Sequence, residues 1–486
     1  MRRPAAQVAA VVVAMTLVKA AISIQTELTS AECYIWMCAK HPALGYFDFG
    51  GLVGWLIWLS TALLGESVLA VRLPTLGCGA LCLGFVFLAA RRLYDEGTAR
   101  RATLLAALAP LPWAWGSFAL SDAPMLLFWS AALWALAHAL SGDRPAWWYA
   151  AGGFLGLSML AKYHGVFIGV GALLFLAASP DHRGWLRRKE PYLAALLALA
   201  VFSPAILWNA MHGWESFRYQ GLSRFGEHGS ILQPFLDSPR KRLVQILEFP
   251  YKQLALLTPV IALGAWGAGL RALVRWKASS WQDRFLAAMG MPVLLFFLGV
   301  VFLRPVRGHW PIPGYLGVLI LSAAGLGRVG GWRLELHRKT LAVLGGAYLA
   351  VPFALAFWPR ADLGGWSELA GKVRDLRPDF VVARDYHHAS QMGYLLREVP
   401  SVEFTAVGEP SKNFPHWWRA ADFAGKTAVV VFDAAHYPVG KEEVERCFGR
   451  LEPPVRLSVG RTHAGRFGNA REEFLLVRAV GYRPPP

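Results

Sequence analysis

The segment LAVRLPTLGCGALCLGFVFLAA (69–90), RRLYDEGTARR (91–101), ATLLAALAPLPWAWGSFA (102–119) decides the fold. Two apolar runs, each near the length that crosses a bilayer, flank a short connection carrying four arginines. Inside lipid every backbone polar group needs an internal partner, so such runs can only be helices. The arginines then mark the connection as cytoplasmic. Nine further runs follow the same rule, at Gln7–Ile24, 123–140, 148–161, 164–179, 191–209, 246–270, 285–303, 311–327 and 340–358. The reading is a mainly α, polytopic membrane protein of about 11 transmembrane helices.

Walking span by span from Arg2 and Arg3 places DHRGWLRRKE (181–190), RALVRWKASSWQDR (271–284) and Arg328–Lys339 on the same side as 91–101. That alternation orients the bundle in a cytoplasmic membrane. Outside lie the connections at 25–68, 120–122, 162–163, 210–245 and 304–310, and everything after Pro359. The apolar run Gly50–Gly65 is about 16 residues long, and a full span there would invert every later loop. It is read as a re-entrant or interfacial helix in the first outer loop, the alternative being a short true span. The first apolar run lacks a small-residue cleavage site and reads as a retained helix.

Composition agrees. In 486 residues, 55% are hydrophobic and 17% charged, too few charges to cover a soluble domain whose charged share is nearer a quarter. The net charge of +17 sits in short loops beside apolar helices, so it points to topology and anionic headgroups, not nucleic acid. Five cysteines form no CxxC pair and no disulfide framework. Past Pro359 the pattern changes to strand-like runs at Phe380–Ala383, Val402–Val407, Thr427–Phe432, Val455–Val459 and Phe474–Ala479, with helical stretches between. This divides the chain into a transmembrane module, 1–359, and a small extracytoplasmic α/β domain, 360–486.

Ionisable groups at span ends on one side are where function is sought, because they are costly at membrane depth. The outward side collects Glu27, Glu32, Asp48, Glu66 and Asp122 with Arg72, Lys162, Arg304, Arg307 and His309. Asp122, in SDAP (121–124), sits in a minimal turn at the bundle rim. It reads either as a helix cap or as a functional carboxylate. Lys162, in KYHG, reads either as a snorkelling side chain or as an anion ligand. RPVRGHWP (304–311) puts two guanidiniums and an imidazole within six residues on the side where cations are disfavoured, which suits a phosphate. Glu32 and Asp48, in LTSAECYIW and HPALGYFDFGG, are acids able to act as general base or to hold a divalent cation, or are simply solvated.

Taken in order, ECYIW, GYFDFGGLVGWLI, VRLP (71–74), SDAPMLLFW (121–129), AKYHGVF (161–167), SPAILWNAMHGWESFRYQ (203–220), HWPIPGYL (309–316) and GGWSEL (364–369) resemble GT-C glycosyltransferases. The resemblance is to the bacterial branch related to protein O-mannosyltransferases and the lipid A aminoarabinose transferase, and it covers nearly the whole chain. It implies an integral enzyme that moves a sugar from a polyprenyl-phosphate donor to an envelope lipid, glycan or protein acceptor on the outer side. Asp122, Lys162 and His309-Trp310-Pro311 match the family pattern. Ala31-Glu32 stands where relatives carry an Asp-Glu pair, so the first acid is missing. Asp48 matches an acid, but Phe49 and Gly50-Gly51 replace the basic or imidazole residue and proline that follow it.

The resemblance therefore implies Glu32, Asp48 and Asp122 as catalytic acids, and Lys162, Arg304, Arg307 and His309 as the lipid-phosphate site. No nucleotide fingerprint is present and no organic cofactor is implied. Two other classes stay open: a GT-C protein that binds a lipid-linked sugar without transferring it, and a transporter or flippase. Against the latter stand the lack of a repeat between the two halves and the long outward tail.

Overall fold

Uninterrupted apolar runs form the long helices of the computed structural model, which describes residues 3–109, 116–142, 144–223, 239–303, 306–329, 331–357, 365–383, 385–403, 412–434, 437–461 and 470–484. Ala5–Ser23, Val68–Leu93, Asp122–Ser141, Glu190–Met211 and Trp281–Val300 are long and apolar enough to cross a membrane. The chain is thus a multi-pass membrane protein. It divides into two compact units, one of Met1–Ala20, Leu44–Val53 and Arg72–Ala350, the other of Ala21–Ala43, Gly54–Val71 and Val351–Pro486.

Several expected spans are corrected. The run 246–270 is not one helix: Pro239–Leu257 and Pro259–Val274 meet at a bend of 109°. Pro259 disfavours a helical residue before it, and Thr258 sits at φ +68°. Arg328–Lys339 is not a loop, since most of it belongs to the helix Gly331–Phe357, built from good helix formers and separated from Ile312–Val329 by Gly331 at φ +61°. Within 91–101, Asp95 caps a helix Glu96–Leu108 by accepting from Thr98 N at 2.8 Å, so the 102–119 run starts early and its described part ends at Leu108. Beside the five helices above, the described residues give the bent pair and shorter apolar helices at Leu52–Leu64, Tyr163–Ala178 and Ile312–Arg328. Leu52–Leu64, the expected interfacial helix, has 13 residues and reaches only about 20 Å.

In the first unit, small residues set the helix spacing. A Cβ on Gly152 would lie 2.2 Å from the Ala194 carbonyl oxygen and one on Gly156 2.6 Å from that of Ala198. Ala146–Ala161 and Glu190–Met211 therefore touch backbone to backbone, the usual solution where lipid gives no hydrophobic drive to associate. Residues of the four cationic segments meet at one end. Tyr94 Oη donates to Asp283 Oδ1 at 2.6 Å, Arg328 clasps the same carboxylate at 2.9 and 3.1 Å, and Arg284 donates to Asp181 at 2.6 Å.

The second unit contains a six-stranded sheet. Its order is β2 (Ser401–Glu403), β1 (Phe380–Ala383), β3 (Ala428–Asp433), β6 (Ala470–Tyr482), β4 (Phe448–Leu451), with β5 (Val455–Arg461) also on β6. β1 runs parallel to β2 and β3, and β6 is antiparallel to β3, β4 and β5. Alternation sends Val381, Val429 and Val431 to one core with Trp366 and Phe474, and Phe380, Val430 and Phe432 to another with Phe423 and Phe448. Both faces are covered, which is why β1 is buried at every position. The expected strand at Val402–Val407 is described only as far as Glu403, and β4 had no counterpart in the sequence reading.

At the edge of the first core, His388 Nδ1 lies 2.8 Å from Asp385 Oδ2 and Nε2 lies 3.4 Å from Asp433 Oδ1. Burial works against the charged ring, but the hydrogen bond to Asp385 and the nearby Asp433 carboxylate prevail and raise its pKa to about 9. Asp385 is partly buried, which works against its charge, yet its hydrogen bonds with His388 hold it well below the usual carboxylate range.

Candidate active site

Asp122 is the first residue of the helix Asp122–Ser141, and the helix gains no side-chain cap from the preceding Ser121. Its carboxylate instead accepts from Lys162 Nζ at 2.7 Å, with side chains only 5% and 16% exposed. Neither bland reading holds. Lys162 ends the helix Ala146–Ala161, donating its own N–H to Ser158 O at 3.0 Å, and reaches a buried acid, not the water interface. The two minimal turns meet because Ser158 Oγ also donates to Met125 O at 3.1 Å.

His309 joins this pair. Burial pushes its pKa down to about 4, Asp122 opposes that shift, and Lys162 and Arg307 reinforce it. His309 therefore feels all three charges, and the imidazole is neutral at pH 7. The loop is held from beneath: Gln253 Nε2 donates to Gly308 O at 2.8 Å, while Tyr315 Oη donates to Gln253 Oε1 at 2.9 Å. Trp266 Nε1 donates in turn to Tyr315 Oη at 3.0 Å. His164, two residues after Lys162, stacks on Phe297 and tilts toward Trp310.

Asp48 lies near Tyr163, close enough for its charge to act on the phenol. Its backbone carbonyl accepts from Gln220 at 2.8 Å, and Tyr163 Oη shares a 2.8 Å hydrogen bond with Ser216. Gly50 explains the unusual sequence after Asp48. A Cβ there would stand 2.1 Å from the Leu160 carbonyl oxygen, so the segment reaches the Lys162 turn only because the residue has no side chain.

Glu32, in the second unit, is fully buried. Its Oε2 accepts from Thr29 N at 2.9 Å and Thr29 Oγ1 at 3.0 Å, and Thr29 Oγ1 accepts from Glu32 N, a complete capping box on the helix Ser30–Lys40. Glu66 accepts from Trp36 Nε1 at 2.7 Å and pairs with Lys40. In the first unit Arg72 is buried with its guanidinium 5.8 Å from the Phe118 ring centre. Arg304 lies outside the described residues. Among the described residues, no three His, Cys, Asp or Glu side chains gather as metal ligands.

The site and the cationic loops occupy opposite ends of one helix. Asp122 opens Asp122–Ser141, and His138 in its last turn receives Arg92 Nε at 3.2 Å. Sixteen residues separate them, about 24 Å of helix.

Residues 50–208 match the family described as dolichyl-phosphate-mannose-protein mannosyltransferase. The chain is 28% identical over 305 residues to the undecaprenyl phosphate-alpha-4-amino-4-deoxy-L-arabinose arabinosyl transferase of Pseudomonas aeruginosa. That alignment takes in 60% of this chain and 50% of the other, so the chain spans about half the length of the curated relatives it matches. In fold it is similar to ArnT from Cupriavidus metallidurans, in a crystal structure bound to undecaprenyl phosphate. The TM-score is 0.66 at 16% identity, over 96% of this chain and 97% of that one. It is also similar to the Archaeoglobus fulgidus oligosaccharyltransferase in its apo form, with TM-score 0.53 at 12% identity, over 89% and 70% of the two chains. At these identities the likeness to the solved structures is one of fold.

Proposed function

We propose that this chain, a member of the GT-C superfamily of membrane glycosyltransferases, transfers a sugar from a polyprenyl-phosphate carrier to an envelope lipid, glycan or protein acceptor. The observation that carries the reading is the coupled group of Asp122, Lys162, Arg307 and His309 at the bundle end away from the cationic loops. By the positive-inside rule that end faces out of the cytoplasmic membrane, with the sheet-bearing tail on the same side of the bilayer.

In this reading the carrier phosphate rests against Lys162 and Arg307, and neutral His309 offers it one N–H. Arg304 would add a second guanidinium from the same loop. The acceptor hydroxyl attacks the anomeric carbon from the opposite face as the carbon–oxygen bond to phosphate breaks. The electron pair leaves on the phosphate oxygen, where the fixed cations stabilise it. The proton passes from the acceptor to Asp48 or Asp122, and the sugar inverts. Glu32, with Oε2 committed to Thr29, supports the Ser30–Lys40 helix and stands behind these two as an acid.

The carrier's isoprenoid tail is held in the bilayer at about 0.8 kcal/mol per buried CH₂, so an embedded catalyst meets it without extracting it. The test is disappearance of carrier-linked sugar in vesicles holding the purified protein. Turnover by the wild type and its loss in Asp122→Asn support the reading. Wild-type binding of the carrier with no sugar consumed would leave a binding protein, and carrier movement between leaflets without transfer would leave a flippase.

A further inference from the structure

The bundle end that carries the arginine loops has a site of its own. A cavity of about 360 Å³ opens between the first helix, Arg3–Ser23, the helix Glu96–Leu108 and the helix Gly331–Phe357. Its polar wall holds Arg100, Arg101 and Arg338, and its apolar wall includes Val11, Leu104 and Leu341. We infer that this cavity binds an anionic phospholipid of the arginine-side leaflet, its phosphodiester on the three guanidiniums and its acyl chains along the apolar wall.

Three observations converge on this ligand. First, the charges are one-sided. No acid lines the cavity among the described residues, and Arg100 and Arg101 are close enough to repel each other. Asp95 acts on Arg101 but is occupied in capping its helix, accepting from Thr98 N at Oδ1 and from Thr98 Oγ1 at Oδ2.

Second, the cations are not equally committed. Arg101 is fixed by donating to Ala323 O at 2.9 Å and Thr98 Oγ1 at 3.0 Å. Arg100 and Arg338 make no hydrogen bond or ion pair among the described residues. Two guanidiniums with open donors beside a fixed third match a phosphate, which accepts bidentate bonds from each.

Third, the walls are amphipathic along the membrane normal. The arginines stand at the loop end, and Val11 lies further along Ala5–Ser23, a helix long and apolar enough to cross a membrane, with Leu104 and Leu341 facing the same cavity. The space equals about a dozen waters at ~30 Å³ each, enough for a headgroup phosphate and the first methylenes but too large to be filled by inorganic phosphate alone. Basic pockets between helices on the cytoplasmic face suit such headgroups.

The experiment compares the full-length protein in vesicles of phosphatidylcholine with and without phosphatidylglycerol, reading thermal unfolding together with the lipid retained after purification. Wild type should gain stability only with phosphatidylglycerol and keep it over phosphatidylcholine by more than about tenfold. Arg100→Gln with Arg338→Gln should lose both effects. Leu341→Trp, which fills the apolar wall but leaves every charge, should lose them too. Equal retention of the two lipids by the wild type, or the same stabilisation from inorganic phosphate, would overturn the assignment without relying on any variant to fold. So would a double variant that folds and still selects phosphatidylglycerol.

Discussion

The two ends of the membrane unit use charge differently. At the arginine end each ion pair has one member in water: Arg328, paired with Asp283, is 54% exposed, and Asp181, paired with Arg284, is 63% exposed. At the opposite end Lys162 and Asp122 are both withdrawn, with Arg307 and His309 within electrostatic reach. Exposed pairs contribute roughly 0–1 kcal/mol, whereas breaking a buried one costs about 3–5 kcal/mol. Charges that set orientation can be plentiful and individually weak. The withdrawn charges are few and lie close to one another.

That contrast can be broken most directly at Lys162. Lys162→Met strands a buried carboxylate, and chemical unfolding should register a loss of about 3 kcal/mol or more. A loss under about 1 kcal/mol would make the two ends equivalent. If withdrawal from water is what separates them, His388, 15% exposed between Asp385 and Asp433, should behave like the site end. Its pKa is raised from 6.5 to about 9, so its contribution is complete below pH 6.5 and disappears as pH climbs through about 9. Proteolysis of the tail should accelerate over that window, and His388→Gln should remove the dependence. Asp385, being depressed, adds a separate acid-side loss as pH falls through its own lowered value.

Gly50→Ala sharpens the comparison at a position with no charge. The added methyl meets backbone at 2.1 Å, so about 1–3 kcal/mol and at least tenfold in transfer should go as the Asp48 segment backs away. The smallest effect belongs to Asp283→Asn, where about 1 kcal/mol of stability is lost and transfer stays within about twofold. A collapse of transfer in that variant would mean the arginine end takes part in the reaction.

Much of this was legible because lipid leaves so few options. The shared side of the four cationic loops followed from counting spans, and Tyr94, Asp181, Asp283 and Arg328 meet there. Phe380–Ala383 was readable to the residue because a four-residue apolar run in a polar tail has one use. The bend at Thr258 was missed although Pro259 announced it, since apolar character continues across the break. Glu32 was weighed as an acid while Thr29-x-x-Glu32 spelled a capping box in plain sequence. The pairing of Asp122 with Lys162 could not be read, because forty residues separate them and no local pattern records which turns of a bundle touch. Gly50 looked like a lost proline turn, and only the Leu160 carbonyl gives the reason for it.

The bent pair ties the rim at His309 to its surroundings. Leu243, Leu247 and Tyr251 project at four-residue intervals from Pro239–Leu257, each more than half exposed, and so need hydrocarbon against them. Two residues further along, Gln253 grips the carbonyl just before His309. Lipid and imidazole are thus linked through one helix, with Pro250 between its exposed leucines and Gln253, and whatever tilts its last turns in the bilayer also sets where the ring stands.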